Sequence, residues 1–401
     1  MNLCPIAKWK KHRPDAPALA SLTYRELDAL VQKLCYRLST TTQTLLSFTP
    51  ENTPIHIALF FAAWRLGKAV YPLNPRLPEQ AILAKIQKTE STWIEPSRLL
   101  LSKKLDISEV NISSLATLIE TSSASKIACH TLKSHIISAQ NAISALNITP
   151  DSTICLNLPL FHVSGIASMI RAFTAGAQIV FSEELENATH ISMVPTQLYR
   201  LLKEDKSLPH CKCLLLGGAP LAEKLYRSAT EKKLPVVRSY GMTETASMII
   251  CEDTVLPNVE IKFTPSKEIL LRSPTLFSHY FGRAEREDWF ATRDLGKINS
   301  KGQIEILGRK DRQFISGGEN ILPEEIEKAL LTLDSVIGAR ITPKPDLELG
   351  MKCHAKIYTE HPIHEETLKA KLKELLAPHK IPKRMEIITG EAPSKFSLEP
   401  A

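Results

Sequence analysis

Apolar residues recur at helical spacing near the start of the chain, where Leu27, Leu30, Val31, Leu34, Cys35 and Leu38 form one stripe. Thr23-Tyr24-Arg25-Glu26 precedes it with the form of a capping box. The Thr23 hydroxyl can accept from the Glu26 backbone N–H while the Glu26 carboxylate reaches back. A second helix is predicted over 54–66, leading through Gly67 into a short strand at 69–73. Further on, 154–158, 190–194 and 213–216 are short apolar runs, each closed by a polar or Gly/Pro turn. Amphipathic segments such as 196–204 and 221–233 separate them. This alternation predicts an α/β fold, a large domain of layered sheets and helices with a largely parallel sheet. Ligands of such sheets bind beyond the carboxyl ends of the strands, so the loops after these runs are where chemistry is expected.

From Glu260 the pattern changes to short alternating strands at 260–263, 268–271 and 302–307. After Gly308-Arg309-Lys310-Asp311 it predicts a compact α+β unit with helices at 323–333 and 365–376 and strands near 336–342 and 353–359. The domains expected are therefore 1–310 and 311–401, divided inside a charged turn.

Composition narrows the functional classes. The 401 residues carry a net charge of +7, mild and spread along the chain. A basic run such as Lys8-Trp9-Lys10-Lys11-His12-Arg13 reads as a solvated face, so no nucleic-acid partner is expected. No apolar run approaches the roughly 18 residues of a membrane helix, because Arg65 and Lys68 break the stretch 55–73. The first thirty residues lack the apolar core of a signal peptide. Eight cysteines without paired CxxC spacing read as buried thiols in a reducing compartment, with the cytoplasm as the default. Glycine numbers 15, roughly half the average usage, so its positions are informative.

Several of those glycines lie in ordered motifs. Ser239-Tyr240-Gly241-Met242-Thr243-Glu244 offers an aromatic for a base, a hydroxyl for a phosphate and a carboxylate for a hard cation. Upstream, Leu216-Gly217-Gly218-Ala219-Pro220 ends a strand with two glycines on which a flat ring can lie. Downstream, Trp289-Phe290-Ala291-Thr292-Arg293-Asp294-Leu295-Gly296 is expected to place Asp294 in a turn, suited to accept from ribose hydroxyls. Gly308-Arg309-Lys310-Asp311 and Ser316-Gly317-Gly318-Glu319-Asn320 follow.

In this order the motifs resemble those of the adenylate-forming superfamily of acyl-CoA synthetases, luciferases and peptide-synthetase adenylation domains, from about Leu22 to Lys395. Within it, Leu158-Pro159-Leu160-Phe161-His162-Val163-Ser164-Gly165, Arg171 and Ser192-Met193-Val194-Pro195-Thr196-Gln197-Leu198 look most like the o-succinylbenzoate–CoA ligases of menaquinone biosynthesis. The resemblance implies ATP, Mg²⁺ and coenzyme A as cofactors and a small carboxylic acid as substrate. It implies a carboxylate attacking the α-phosphate of ATP, loss of pyrophosphate, and opening of the acyl-adenylate by the CoA thiol. It assigns Tyr240 and Gly241, with Gly217, Gly218, Ala219 and Pro220, to adenine. Thr243 goes to the α-phosphate, Glu244 to Mg²⁺, and Asp294 with Arg309 to ribose. His162 would shape the acyl pocket, and Arg171, with Ser192 and Ser247, would read the second carboxylate of o-succinylbenzoate. Asp311 would be the hinge of a mobile lid that carries Gly317 and Gly318 to the CoA tunnel and supplies Lys395 for adenylation.

The phosphate loop departs from the family pattern. The matching segment runs from Leu118 to Thr131, with Thr121, Ser122, Ser125 and Lys126 as its phosphate-binding candidates. It lacks glycine and is about three residues shorter than the family's wrap around β- and γ-phosphates. Two alternatives stay open beside the o-succinylbenzoate ligase. One is a CoA ligase for another aromatic or medium-chain acid; the other is a weakened or non-catalytic adenylate-binding relative. A homo-oligomer is also left open.

Overall fold

The computed structural model describes residues 2–96, 103–121 and 126–390. The apolar runs form the middle of a nine-stranded sheet. Six of its strands are parallel in the order Pro17–Leu19, Gln178–Val180, Thr153–Cys155, His190–Met193, Cys213–Leu216 and Val236–Gly241. Leu22–Thr23 closes one edge antiparallel, and Met248–Cys251 with Thr254–Val255 closes the other. Val194 and Gly217 leave adjacent strands side by side at the carboxyl edge, and Val236–Gly241 runs on past them to carry its turn beyond that edge.

A second sheet of six strands has the order His279–Tyr280, Ile127–Thr131, Leu115–Glu120, Ala69–Pro72, Leu45–Phe48 and Thr92–Trp93. Helix Tyr24–Leu38 opens with the expected capping box, Thr23 N–H donating to Glu26 Oε2 at 2.9 Å. It packs on Pro54–Arg65, a helix buried from Ile57 onward. Its apolar residues fill one continuous core with those of Val163–Ala175. Arg65 ends that helix inside the core, where it ion-pairs with the equally buried Asp28.

Glu260–Phe263, Glu268–Arg272, Phe290–Ile298 and Ile304–Arg309 make a four-stranded antiparallel sheet. Here one expectation is corrected. Asp294 is not in a turn but inside the nine-residue strand Phe290–Ile298. Over its first half the buried positions are the polar Thr292 and Asp294, while the intervening Ala291 and Arg293 face out; Leu295 and Gly296 are buried beyond them. With polar residues inward, the alternation carries no apolar signal to mark a strand.

Residues 321–385 have a core of their own, built from Ile321, Ile326, Leu330, Val336, Ile341, Ile357, Leu368 and Leu372. Strands Val336–Asp346 and Gly350–Thr359 pair antiparallel, and Arg384–Thr389 joins parallel to the second. Helices Pro323–Leu331 and Glu365–Leu375 cover them. Charged contacts link this unit to the rest: Lys224 Nζ to Glu360 Oε1 at 2.9 Å and Lys328 to Glu305 at 3.2 Å. Among the described residues no helix is long and apolar enough to cross a membrane.

Candidate active site

Strand Val236–Gly241 delivers Tyr240 and the following turn to the carboxyl edge. A β-carbon at Gly241 would lie 2.2 Å from the Ser247 carbonyl oxygen, so no side chain fits and the two backbones meet there. At Gly217 the limit is a side chain: a β-carbon there would come within 2.7 Å of Ser239 Oγ. Ser239 in turn donates to the Leu216 carbonyl at 2.9 Å. Ala219 and Pro220 continue the loop from Gly218, whose φ is +79°. Thr245 holds the Met242–Ser247 turn, accepting from the Met242 N–H at 2.9 Å and donating to the Ser247 carbonyl at 2.6 Å.

Asp294 is the meeting point of the nucleoside candidates. Tyr240 donates its hydroxyl to Oδ2 at 2.6 Å, and Arg309 donates to Oδ1 at 3.0 Å. Arg309 also grips Asp311 through Nε at 3.1 Å and a terminal nitrogen at 2.9 Å. Burial raises the Asp294 carboxyl above its usual range, while the Tyr240 hydroxyl and the Arg309 guanidinium pull the other way. Burial and the Asp294 charge together keep the Tyr240 hydroxyl protonated, hence a donor. Asp311 lies in the short turn Lys310–Arg312, and Gly317-Gly318 close the hairpin Phe314–Ser316/Glu319–Ile321 with φ of +57° and +84°.

Thr243 and Glu244 are fixed from behind by residues that the sequence reading did not single out. His130 Nε2 lies 2.9 Å from the Thr243 carbonyl, which makes it the protonated nitrogen. The Glu244 carbonyl accepts from Phe277 N–H at 2.8 Å, and Tyr280 donates its hydroxyl to Glu244 Oε1 at 2.8 Å. A polar His130 beside Ile127-Ala128-Cys129, in an otherwise buried strand, was the available signal for the first. Nothing local marks Tyr280.

His130 is fully enclosed, and burial lowers its pKa to about 4. The ring of His135, 5.0 Å away, is driven well below the usual value by burial and by His130. A folded-state pKa below the unfolded value means that the unfolded chain binds more protons as pH falls. The neutral rings' stability is then complete above about pH 6.5 and is lost toward pH 4, by at most ~1.4 kcal/mol per pH unit per histidine. Thermal melts at pH 7.5, 6 and 5 are expected to fall progressively in the wild type. The fall should be shallower in the His130→Gln/His135→Gln variant, and parallel curves would refute this source of acid lability.

On the acyl side, His162 precedes helix Val163–Ala175 in extended conformation, its ring 4.4 Å from that of Phe161. Burial, then Arg76, lowers its pKa. Arg171 projects from the same helix into the core and is 4% exposed. One terminal nitrogen donates to Ser247 Oγ at 3.2 Å, and its Nε has no hydrogen-bond partner. Burial lowers the guanidinium to about 10, and the groups that oppose this are the thiols of Cys213 and Cys251. Among the described residues no carboxylate pairs with it. Ser192 lies two residues along the strand from His190, on the same sheet face, and burial, with the Arg171 charge adding to it, depresses the His190 pKa. Ser247 thus brings the acyl candidate Arg171 against the turn that carries Thr243 and Glu244.

The strands that flank the candidate phosphate loop pair antiparallel. Leu115–Glu120 pairs with Ile127–Thr131 up to Glu120 opposite Ile127, and Thr121 N–H donates to the Lys126 carbonyl at 3.0 Å. Lys126 Nζ lies 4.9 Å from the centroid of the Tyr280 ring. Ser122, Ser125 and the lid lysine Lys395 lie outside the described residues.

The model of the AMP-binding enzyme family matches residues 6–95 and 104–269. The chain belongs to the AMP-binding enzyme family. The 2-succinylbenzoate–CoA ligase of Escherichia coli K12 is 30% identical to it, the match covering 89% of this chain and 88% of that enzyme. Among solved structures, E. coli MenE with a phenylether-linked analogue of OSB-AMS superposes with a TM-score of 0.86 at 29% identity, covering 99% of this chain and 98% of that one. The o-succinylbenzoate CoA synthetase of Bacillus subtilis in complex with ATP and magnesium gives 0.85 at 25% identity, covering 96% of each chain. The mixed α/β fold and the family expected from the motif order are those found.

Proposed function

We propose that the chain activates o-succinylbenzoate with ATP and transfers the acyl group to coenzyme A, forming o-succinylbenzoyl-CoA, AMP and pyrophosphate. The observation that carries the substrate is Arg171, a buried guanidinium with an unpartnered Nε and no carboxylate of its own among the described residues. o-Succinylbenzoate activated at its succinyl end keeps an aromatic carboxylate, and that group supplies the missing anion. Relatives named for this reaction and solved with its adenylate analogues support the same acid.

In the first step the succinyl carboxylate oxygen attacks the α-phosphorus, the bond to the bridging oxygen breaks and pyrophosphate leaves. In the second the CoA sulfur attacks the acyl carbon and AMP departs. Positioning and charge stabilisation dominate such transfers. Tyr240 and the 217–220 loop would hold adenine, Asp294 and Arg309 the ribose, and Thr243 the α-phosphate. Mg²⁺ fits the donors present, because Glu244 and Thr243 offer hard oxygens. Among the described residues no cluster of three or more acidic, His or Cys side chains forms a dedicated cage. Mg²⁺ ordinarily takes one or two carboxylates plus substrate phosphates, and when bound it would neutralise charge on the triphosphate. The separate core of 321–385 supports residues 311–401 as a lid hinged at Asp311, bringing Lys395 and then Gly317-Gly318 to the site. The eight free thiols suit a cytoplasmic location.

The short segment between Glu120 and Ile127 favours a second reading, a relative with weakened ATP turnover. Pyrophosphate release across a panel of acids separates the readings. Release with o-succinylbenzoate and CoA, at least tenfold above benzoate or octanoate, is the expected result. Release with those acids alone would remove the substrate assignment, and release with none would favour the non-catalytic adenylate-binding relative.

A further inference from the structure

Segment 277–281 lies between two parts of the nucleotide site that the sequence holds far apart. At one end Phe277 N–H donates to the Glu244 carbonyl at 2.8 Å. At the other it is hydrogen-bonded as a strand to the exit of the phosphate loop, with His279 opposite Cys129 and Tyr280 opposite Ala128. Ser278 N–H reaches the Cys129 carbonyl at 2.8 Å and Phe281 N–H the Ile127 carbonyl at 2.9 Å. This register fixes Tyr280 beside the root of the loop. Its hydroxyl meets Glu244 Oε1 at 2.8 Å, and its ring carries Lys126 Nζ at 4.9 Å and the Arg283 guanidinium at 5.9 Å. The ring packs on Phe277, with centroids 4.5 Å apart, so its own position is constrained.

We propose that Tyr280 is a positioning residue that joins the phosphate-loop lysine to the carboxylate that holds Mg²⁺. The inference rests on the roles given above to Lys126 and Glu244. A carboxylate has two oxygens; Tyr280 engages Oε1 and orients the group so that Oε2 can face the cation. The π face of the same ring attracts the Lys126 ammonium. A loop without glycine cannot wrap the β- and γ-phosphates closely with its backbone. Holding its lysine on a fixed ring places the charge at the phosphates by a different route. One aromatic side chain thereby sets the distance between two charges of opposite sign that must both meet MgATP.

Calorimetric titration with a non-hydrolysable ATP analogue over a range of Mg²⁺ concentrations tests this without turnover. Tyr280→Phe keeps ring and packing and loses the hydroxyl. It is expected to raise the Mg²⁺ midpoint by about tenfold, the scale of a hydrogen bond to a charged group, and to leave affinity at saturating Mg²⁺ within about twofold. Lys126→Met is expected to weaken analogue binding in wild type and in Tyr280→Phe alike. In Tyr280→Leu, which lacks the ring, that further loss should shrink by about threefold, the scale of a cation–π contact. An unchanged Mg²⁺ midpoint in Tyr280→Phe overturns the proposal whether or not Tyr280→Leu folds. A Lys126→Met effect of the same size in Tyr280→Leu as in wild type removes the lysine half. Binding of the analogue with no pyrophosphate release from o-succinylbenzoate would sink the substrate reading and leave this inference standing. A wild type that binds no analogue would end both.

Discussion

Arg171→Met is expected to raise the KM for o-succinylbenzoate about a thousandfold and to leave the KM for ATP within about twofold, since removing one partner of a buried charge pair costs roughly 2–5 kcal/mol. On the proposed reading the substrate's aromatic carboxylate completes the pair. In the free protein the guanidinium has Ser247 Oγ at 3.2 Å, an unpartnered Nε and two thiols as its neighbours. The desolvation is thus already paid when the acid arrives, and the aromatic carboxylate meets a charge that water barely screens. The same reasoning gives the variant an unusual second property. Met conserves much of the volume and removes an uncompensated buried charge, whose desolvation penalty is on the order of several kcal/mol per ion. The melting temperature without ligand should therefore hold or rise while substrate binding collapses. A misfolded variant would lose both, and a guanidinium with a purely structural role would lose stability first. Equal changes in the two KM values would overturn the assignment.

What the sequence made legible follows the range of the interactions involved. The capping box at Thr23 is a four-residue device, and the apolar runs 154–158, 190–194 and 213–216 report burial on both faces, so both were readable. The strand that carries Asp294 was hidden because Thr292 and Asp294, the buried residues of its first half, are polar. The segment 118–131 was readable as a candidate phosphate loop, but the antiparallel pairing of its flanking strands, with Glu120 opposite Ile127, was not. Tyr240, Thr243, Glu244 and Asp294 could be picked out because their motifs are compact. Their supports could not. His130 lies 113 residues before the Thr243 carbonyl it meets, and Tyr280 lies 36 residues after Glu244. The same limit applies to Arg171. An arginine on an apolar helix face reads equally well as a snorkelling side chain, and only the packing of Cys213, Ser247 and Cys251 shows the charge enclosed.

The second large effect is expected at Asp294. Asp294→Asn should lower kcat/KM for ATP about a thousandfold and weaken AMP binding to match, at roughly 1.5–3 kcal/mol for each of two ribose hydroxyls accepted by a charged group. The loss has two parts. Oδ1 and Oδ2 each hold one protein donor, from Arg309 and Tyr240, and each has capacity left for a ribose hydroxyl. An amide turns one oxygen into an NH₂ that faces a donor, so either Tyr240 or Arg309 loses its acceptor. Arg309 then remains paired to Asp311 alone, which draws it away from the ribose. The carboxyl's raised pKa adds a pH signature. Nucleotide binding needs the ionised form, so affinity should fall on acidification and begin to do so at a higher pH than an ordinary aspartate would give. Tyr240→Phe removes a hydrogen bond that favours the carboxylate, and should move that fall to still higher pH. Calorimetry with AMP from pH 7.5 to 4.5 checks both points. AMP binding within about tenfold of wild type in Asp294→Asn would fall short of a single charged hydrogen bond and would place the ribose elsewhere.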